Sequence, residues 1–116
     1  MKKLPGIEKI HNTFKRYVDV SRKELDDFFS EAEYLYLNKN QIITHEGDMD
    51  VKMVMIVSGY LMTLFKDRKG DDHTLQFGSE MWWTGDLDAF TNGKPSFYSI
   101  KTLTEAEVYL IDKNLF

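Results

Sequence analysis

Apolar residues recur at Ile7, Ile10, Phe14, Tyr17 and Val18. That is helical spacing, so residues 7–19 read as an amphipathic helix. Ser21-Arg22-Lys23-Glu24 has the spacing of a capping box, in which hydroxyl and carboxylate each accept a backbone N–H of the first turn. It opens a second short helix that buries Leu25, Phe28 and Phe29. From Tyr34 onward the period changes. Short apolar pieces at 34–37, 41–44, 53–58, 60–66, 73–77, 81–84, 97–103 and 107–111 alternate with polar turns. The punctuation is Asn38-Lys39-Asn40, Glu46-Gly47-Asp48, Ser58-Gly59, Lys69-Gly70-Asp71, Gly85-Asp86 and Asn92-Gly93-Lys94-Pro95. About eight short strands at such spacing make a jelly roll or a small barrel. Gly85–Phe90 interrupts the rhythm: it has no β-branched residue, and Leu87 and Phe90 are three apart. It reads as one helical turn between strands, opening with backbone N–H groups of the kind that meet anions.

The 116 residues suffice for one domain, and 42% apolar with 29% charged residues is a globular composition. There is no cysteine, which removes disulfides, Cys-ligated zinc, iron–sulfur clusters and thiol catalysis together. A reducing, cytoplasmic home follows as the default. The longest apolar run, Met53 to Val57, is far short of a membrane span. Met1-Lys2-Lys3 has the start of a signal peptide, but Pro5, Gly6, Glu8 and Lys9 occupy the place of its apolar stretch. The chain therefore reads as unexported and free of membrane contact. Charge is uneven. Residues 1–23 hold seven Lys/Arg and two Asp/Glu, whereas residues 24–116 hold eight and seventeen. The basic start reads as a solvated helix face, and the remainder is too acidic to hold a phosphate backbone. Trp82 and Trp83, as neighbours in a strand, are expected on opposite sides, one entering the core or a cavity and one toward solvent or a partner.

No G-x-S-x-G, P-loop, H-E-x-x-H or dinucleotide fingerprint is present, so the chain reads as a non-enzyme. The alternative is a cupin-like metal-binding enzyme using His45, Glu46 and His73, because imidazoles and a carboxylate on a β-roll can ligate a transition metal. The two histidines one residue apart that cupins use are absent. Asp67, Asp71 and Asp72, mixed with Arg68 and Lys69, read as a solvated hairpin tip.

The order of features resembles the cyclic-nucleotide-binding-like sensor domain of the Crp/Fnr family of bacterial transcription regulators. The resemblance rests on two leading helices, Gln41-Ile42-Ile43 before His45-Glu46-Gly47-Asp48, Met55-Ile56-Val57-Ser58-Gly59-Tyr60-Leu61, a charged Gly70 hairpin, Gly85-Asp86-Leu87, and Glu105 to Ile111. It runs from about residue 12 to the end. It implies a mainly β fold: an eight-stranded double-stranded β-helix, or jelly-roll-like β-roll, with short N-terminal helices and the start of a C-terminal helix at Asp112–Phe116. Residues 1–116 would form this single domain. The family's long dimerising helix and helix-turn-helix DNA reader would lie beyond it, and the full-length protein would be a homodimer. The function implied is sensing of a small-molecule effector, with no resident cofactor.

The resemblance also places a phosphate-binding cassette at Gly85, Asp86, Leu87, Ser96, Phe97 and Tyr98. In the family a Gly lets backbone approach the phosphate and a following acid accepts the ribose hydroxyl. These positions are Gly85 and Asp86. The family's arginine, which neutralises the cyclic phosphate, falls on Ser96, and its small residues fall on Phe97 and Tyr98. No arginine follows Arg68. If Tyr98, Ile100 and Thr102 point inward, Lys101 points outward and cannot substitute. A phosphate without its partner forfeits about 4 kcal/mol at close range. The cassette is thus expected to bind cyclic AMP poorly and to suit a flatter, less anionic ligand among Phe97 and Tyr98, or to be filled by its own side chains.

Overall fold

The computed structural model describes residues 4–115. Helix α1, Ile7–Phe14, buries Ile7 and Ile10. It stops short of the expected residue 19 because the chain tightens into a turn through residue 18, bringing Val20 back to the core. Tyr17 and Val18, placed on the apolar stripe by spacing, are instead 81% and 57% exposed. Helix α2, Arg22–Ser30, starts as expected: Ser21 Oγ accepts from Glu24 N at 3.0 Å and Glu24 Oε1 accepts from Ser21 N at 3.2 Å. It buries Leu25 and Phe29 and packs Phe28 at half depth.

Eight strands follow: β1 Glu33–Leu37, β2 Ile42–Thr44, β3 Met53–Ser58, β4 Leu61–Lys66, β5 Asp72–Gly78, β6 Trp83–Thr84, β7 Ser99–Thr102 and β8 Ala106–Ile111. Helix α3, Leu87–Asn92, lies between β6 and β7, and a 3-10 turn, Lys113–Leu115, follows β8. The strands form two antiparallel four-stranded sheets. The first runs β1-β8-β3-β6 and the second β2-β7-β4-β5. This is the jelly-roll-like β-roll that the turn spacing and the resemblance implied.

Period-2 alternation divides β3 and β8 between two cores. Val54, Ile56, Ala106 and Val108 face the second sheet and meet Leu61 and Ile100. Met55, Val57, Tyr109 and Ile111 face the other way and meet Ile7, Ile10, Leu25 and Phe29 of the helices. The first sheet is therefore covered on both faces. On the second sheet, Thr63 and Ile100 are paired and face inward, whereas Lys101 is paired with both Ile42 and Met62 and takes the opposite face. Lys101 thus points out, as alternation required.

Trp82 is 52% exposed, whereas Trp83, 37% exposed, lines the groove formed with Met53, Leu87 and Phe90. Strand β6 is only two residues long, and Met81 before it has a left-handed φ of 68°. Trp82 consequently lies outside the strand, where strict alternation does not apply.

Candidate functional site

The site is built where α3 and the segment entering β7 meet the turn at His45–Asp48. That turn is closed on itself, with Asp48 N donating to the His45 carbonyl at 3.0 Å and His45 N donating to Asp48 Oδ2 at 2.9 Å. It is also stitched to the cassette. Gly47 N donates to the Ser96 carbonyl at 2.7 Å, Ser96 N to the Asp48 carbonyl at 2.9 Å, and Glu46 N to Ser99 Oγ at 2.9 Å. The Glu46-Gly47-Asp48 turn therefore holds the segment Ser96–Ser99 in place.

Asp86 joins the two halves. It is 7% exposed and caps α3, its Oδ1 accepting from Ala89 N at 3.0 Å. Its Oδ2 accepts from Phe97 N at 2.8 Å. Both carboxylate oxygens thus have backbone partners inside the protein. Gly85 precedes it with φ 144°, and a Cβ there would sit 2.7 Å from Met53 Sδ. In this chain the glycine is favoured by its φ, which residues with a side chain rarely adopt.

Ser96 is 3% exposed and bonds locally, its Oγ donating to the Tyr98 carbonyl at 2.8 Å. Phe97, by contrast, is 58% exposed. Its ring stacks on Phe65, with centroids 6.0 Å apart, and lies at right angles to Tyr98 at 5.3 Å. Phe65 stacks in turn on His73 at 5.3 Å. Asp86, Ser96, Phe97 and Tyr98 line one open cleft of about 480 Å³ together with Glu46, Asp88, Lys94 and Pro95. Asp88 accepts from Asn92 Nδ2 at 2.6 Å and from Lys94 Nζ at 3.3 Å. Those two bonds, the amide's first, hold its carboxyl below the usual carboxylate range.

The other two expected site residues do not line this cleft. Leu87 lies on another side of α3, 63% exposed, in an apolar groove of about 510 Å³ with Met53, Trp83 and Phe90. Lys113 borders that groove and donates to the Thr91 carbonyl at 2.9 Å, tying the last 3-10 turn to α3.

Two buried threonines with no counterpart among the expected site residues meet inside the roll, and the exposed Gln76 reaches one of them. Thr63 and Thr84 hydroxyls lie 3.1 Å apart, and Gln76 Nε2 donates to Thr84 Oγ1 at 3.5 Å, linking β4 and β5 of one sheet to β6 of the other. The available signal was Thr63, a polar side chain at an inward position of an apolar strand.

The histidines are dispersed in role. His73 Nε2 lies 2.8 Å from Asp67 Oδ2 at the β4–β5 hairpin, and this contact, followed by bonds from the tip's backbone, holds the Asp67 carboxyl below its ordinary range. Among the described residues no three His, Asp or Glu side chains converge in a metal-holding group, those of His45, Glu46 and His73 included.

Residues 34–116 match the family model described as cyclic nucleotide-binding domain. The comparison with curated proteins gives no match. Among solved structures, the catabolite activator protein of Thermus thermophilus superposes with a TM-score of 0.76 at 14% identity, covering 85% of this chain and 46% of that one. The sensor domain of the transcriptional regulator DNR from Pseudomonas aeruginosa gives 0.74 at 12% identity, over 94% and 71% of the two chains. The N-terminal domain of a transcriptional regulator from Streptomyces coelicolor A3(2) gives 0.73 at 16%, over 89% and 71%. The chain thus spans under half the length of the Thermus protein. These structural likenesses carry the fold, and the sequence match over residues 34–116 carries the family: the chain belongs to the cyclic nucleotide-binding domain family.

Proposed function

We propose that the chain is the sensor domain of a Crp/Fnr-type transcription regulator whose cassette no longer accepts a cyclic phosphate. In the full-length protein it would act as a homodimer in the cytoplasm, with DNA bound through a separate C-terminal domain. Its sensing residues would be Gly85, Asp86, Ser96, Phe97 and Tyr98, with Leu87 on the side of α3 that faces Met53 and Trp83.

The observation that carries this reading is the charge of the cleft: three carboxylates and one ammonium, with that ammonium already held by Asp88. A phosphate entering it would meet no free cation and would face net negative charge. Asp86 has both oxygens occupied, and Phe97 stands where the family keeps a small residue. The Lys113 bond to Thr91 supports a route from α3 to the segment after Asp112. A ligand that shifted α3 would pull on that segment, biasing whatever follows it.

Calorimetry tests the reading. The unmodified chain should bind no cyclic AMP up to about 100 μM. Ser96→Arg alone should restore little, because position 96 is buried and a guanidinium there would have to displace its neighbours before reaching the cleft. Ser96→Arg combined with Asp86→Glu, Phe97→Ser and Tyr98→Ala should create measurable affinity. Micromolar cyclic AMP binding by the unmodified chain overturns the reading.

A further inference from the structure

The sensing cleft, if it does not take phosphate, has a chemistry of its own, and the following rests on the sensor reading above. Phe97 presents a ring that is 58% exposed yet supported: Phe65 stacks on it, Tyr98 packs at right angles to it, and the backbone N–H of Phe97 is tied to buried Asp86. The cleft of about 480 Å³ beside it lies within the size range of small-molecule sites.

The polar groups around this ring are differently engaged. Asp86 is fully occupied by backbone N–H groups. Asp88 is bonded to Asn92 and Lys94. Lys94 is spent on Asp88. Glu46 is different. Its backbone N–H is anchored to Ser99, but among the described residues its carboxylate has no hydrogen bond or ion pair. An open aromatic face and an uncommitted carboxylate in one cleft are the two contacts that a cation bound to a ring uses. The surplus of carboxylates lowers the potential of the whole cleft and favours positive charge.

We propose that the cleft binds a small organic cation, a planar ring carrying an ammonium group, with the ring against Phe97 and the positive nitrogen toward Glu46. The former phosphate cassette is then a site of inverted charge preference.

Three probes share one ring and differ in charge: tryptamine, tryptophol and indole-3-acetate. Each is titrated into the isotopically labelled domain, and amide shifts of Glu46, Asp86, Phe97 and Tyr98 are followed. Tryptamine should shift these amides saturably, about tenfold more tightly than tryptophol, with indole-3-acetate weaker still. Raised salt should narrow the gap. Glu46→Gln should weaken tryptamine about tenfold and so remove its preference over tryptophol. Phe97→Ala should weaken both, with the amide spectrum elsewhere reporting an intact fold.

Equal or tighter binding of tryptophol or indole-3-acetate at these amides overturns the cation preference and leaves a ligand-sensing cleft. An unchanged preference in Glu46→Gln overturns the assigned contact. If no probe moves the cleft amides, the cation site is refuted. If cyclic AMP moves them instead, the reading of the cassette as unable to take phosphate fails as well.

Discussion

Asp86 is one methylene shorter than the glutamate that the family resemblance leads one to expect, and that difference has a physical reading. A short carboxylate at the first position before α3 reaches Ala89 N with one oxygen and Phe97 N with the other. Capping and clamping are thus done by one side chain. Asp86→Ala removes the cap and leaves the Phe97 N–H without its acceptor, at a cost of about 2–4 kcal/mol. Urea denaturation should show this as a lower midpoint with an unchanged slope. Asp86→Asn keeps one acceptor oxygen and should cost about half as much. A loss below about 0.5 kcal/mol for Asp86→Ala would mean that the two bonds contribute nothing net. The capping half of this role was legible, because an Asp before a helical turn is a common cap. The clamping half was not: Phe97 N is eleven residues away, and only the closed fold brings it near.

At the scale of elements, turn residues and alternation located all eight strands in the right order, to within a few residues at their ends. Gly59 shows why such signals work. Its φ is 90°, and a Cβ would lie 2.4 Å from the Glu105 carbonyl oxygen, so only glycine closes the β3–β4 turn against the chain entering β8. Helix α1 ends at Phe14, before the apolar stripe does, because spacing alone does not tell where a helix face ceases to find a partner. Pairing of β1 with β8 has a further consequence. Tyr34 lies opposite Tyr109, and its hydroxyl donates to Glu107 Oε2 at 2.5 Å, while Ser58 Oγ donates to Oε1 at 2.9 Å. Burial, reinforced by the Glu107 carboxylate, pushes both phenols up to about 12. The folded chain therefore keeps protons that the unfolded chain releases above about pH 10. Stability is fully present below pH 10 and is lost as pH rises toward 12. Thermal melts between pH 9 and pH 11.5 should fall steeply, and Tyr34→Phe should flatten that fall. A melting temperature constant across this range would contradict the proton linkage.

At the scale of the whole molecule, two cores share one sheet. The helices α1 and α2 cover the outer face of the first sheet, and the second sheet covers its inner face. Phe29, fully buried, touches both Phe28 and Tyr109 with ring centroids 5.0 Å apart. Phe29→Ala should cost about 3–5 kcal/mol. Because β3 and β8 belong to both cores, the loss should not be confined to the helices. Far-ultraviolet dichroism and the fluorescence of Trp82 and Trp83 should report one common, earlier transition. A helical transition separated from that of the roll would show that the two cores fold independently.

The last 3-10 turn is held at two points of different kind. Leu115 rests on the helical side, in the cluster of Ile7 and Phe29, and Lys113 is bonded to α3 through the Thr91 carbonyl. In mechanical terms this is a lever with a fulcrum and a push rod. On the sensor reading proposed above, the apolar seat at Leu115 would resist translation, so a displacement of α3 delivered through Lys113 would turn the segment about that seat. A sub-ångström shift at α3 would then become an angular change in the direction of the chain at Leu115. Such a change in heading grows with distance along any rigid extension, and so requires no large movement at the cleft itself.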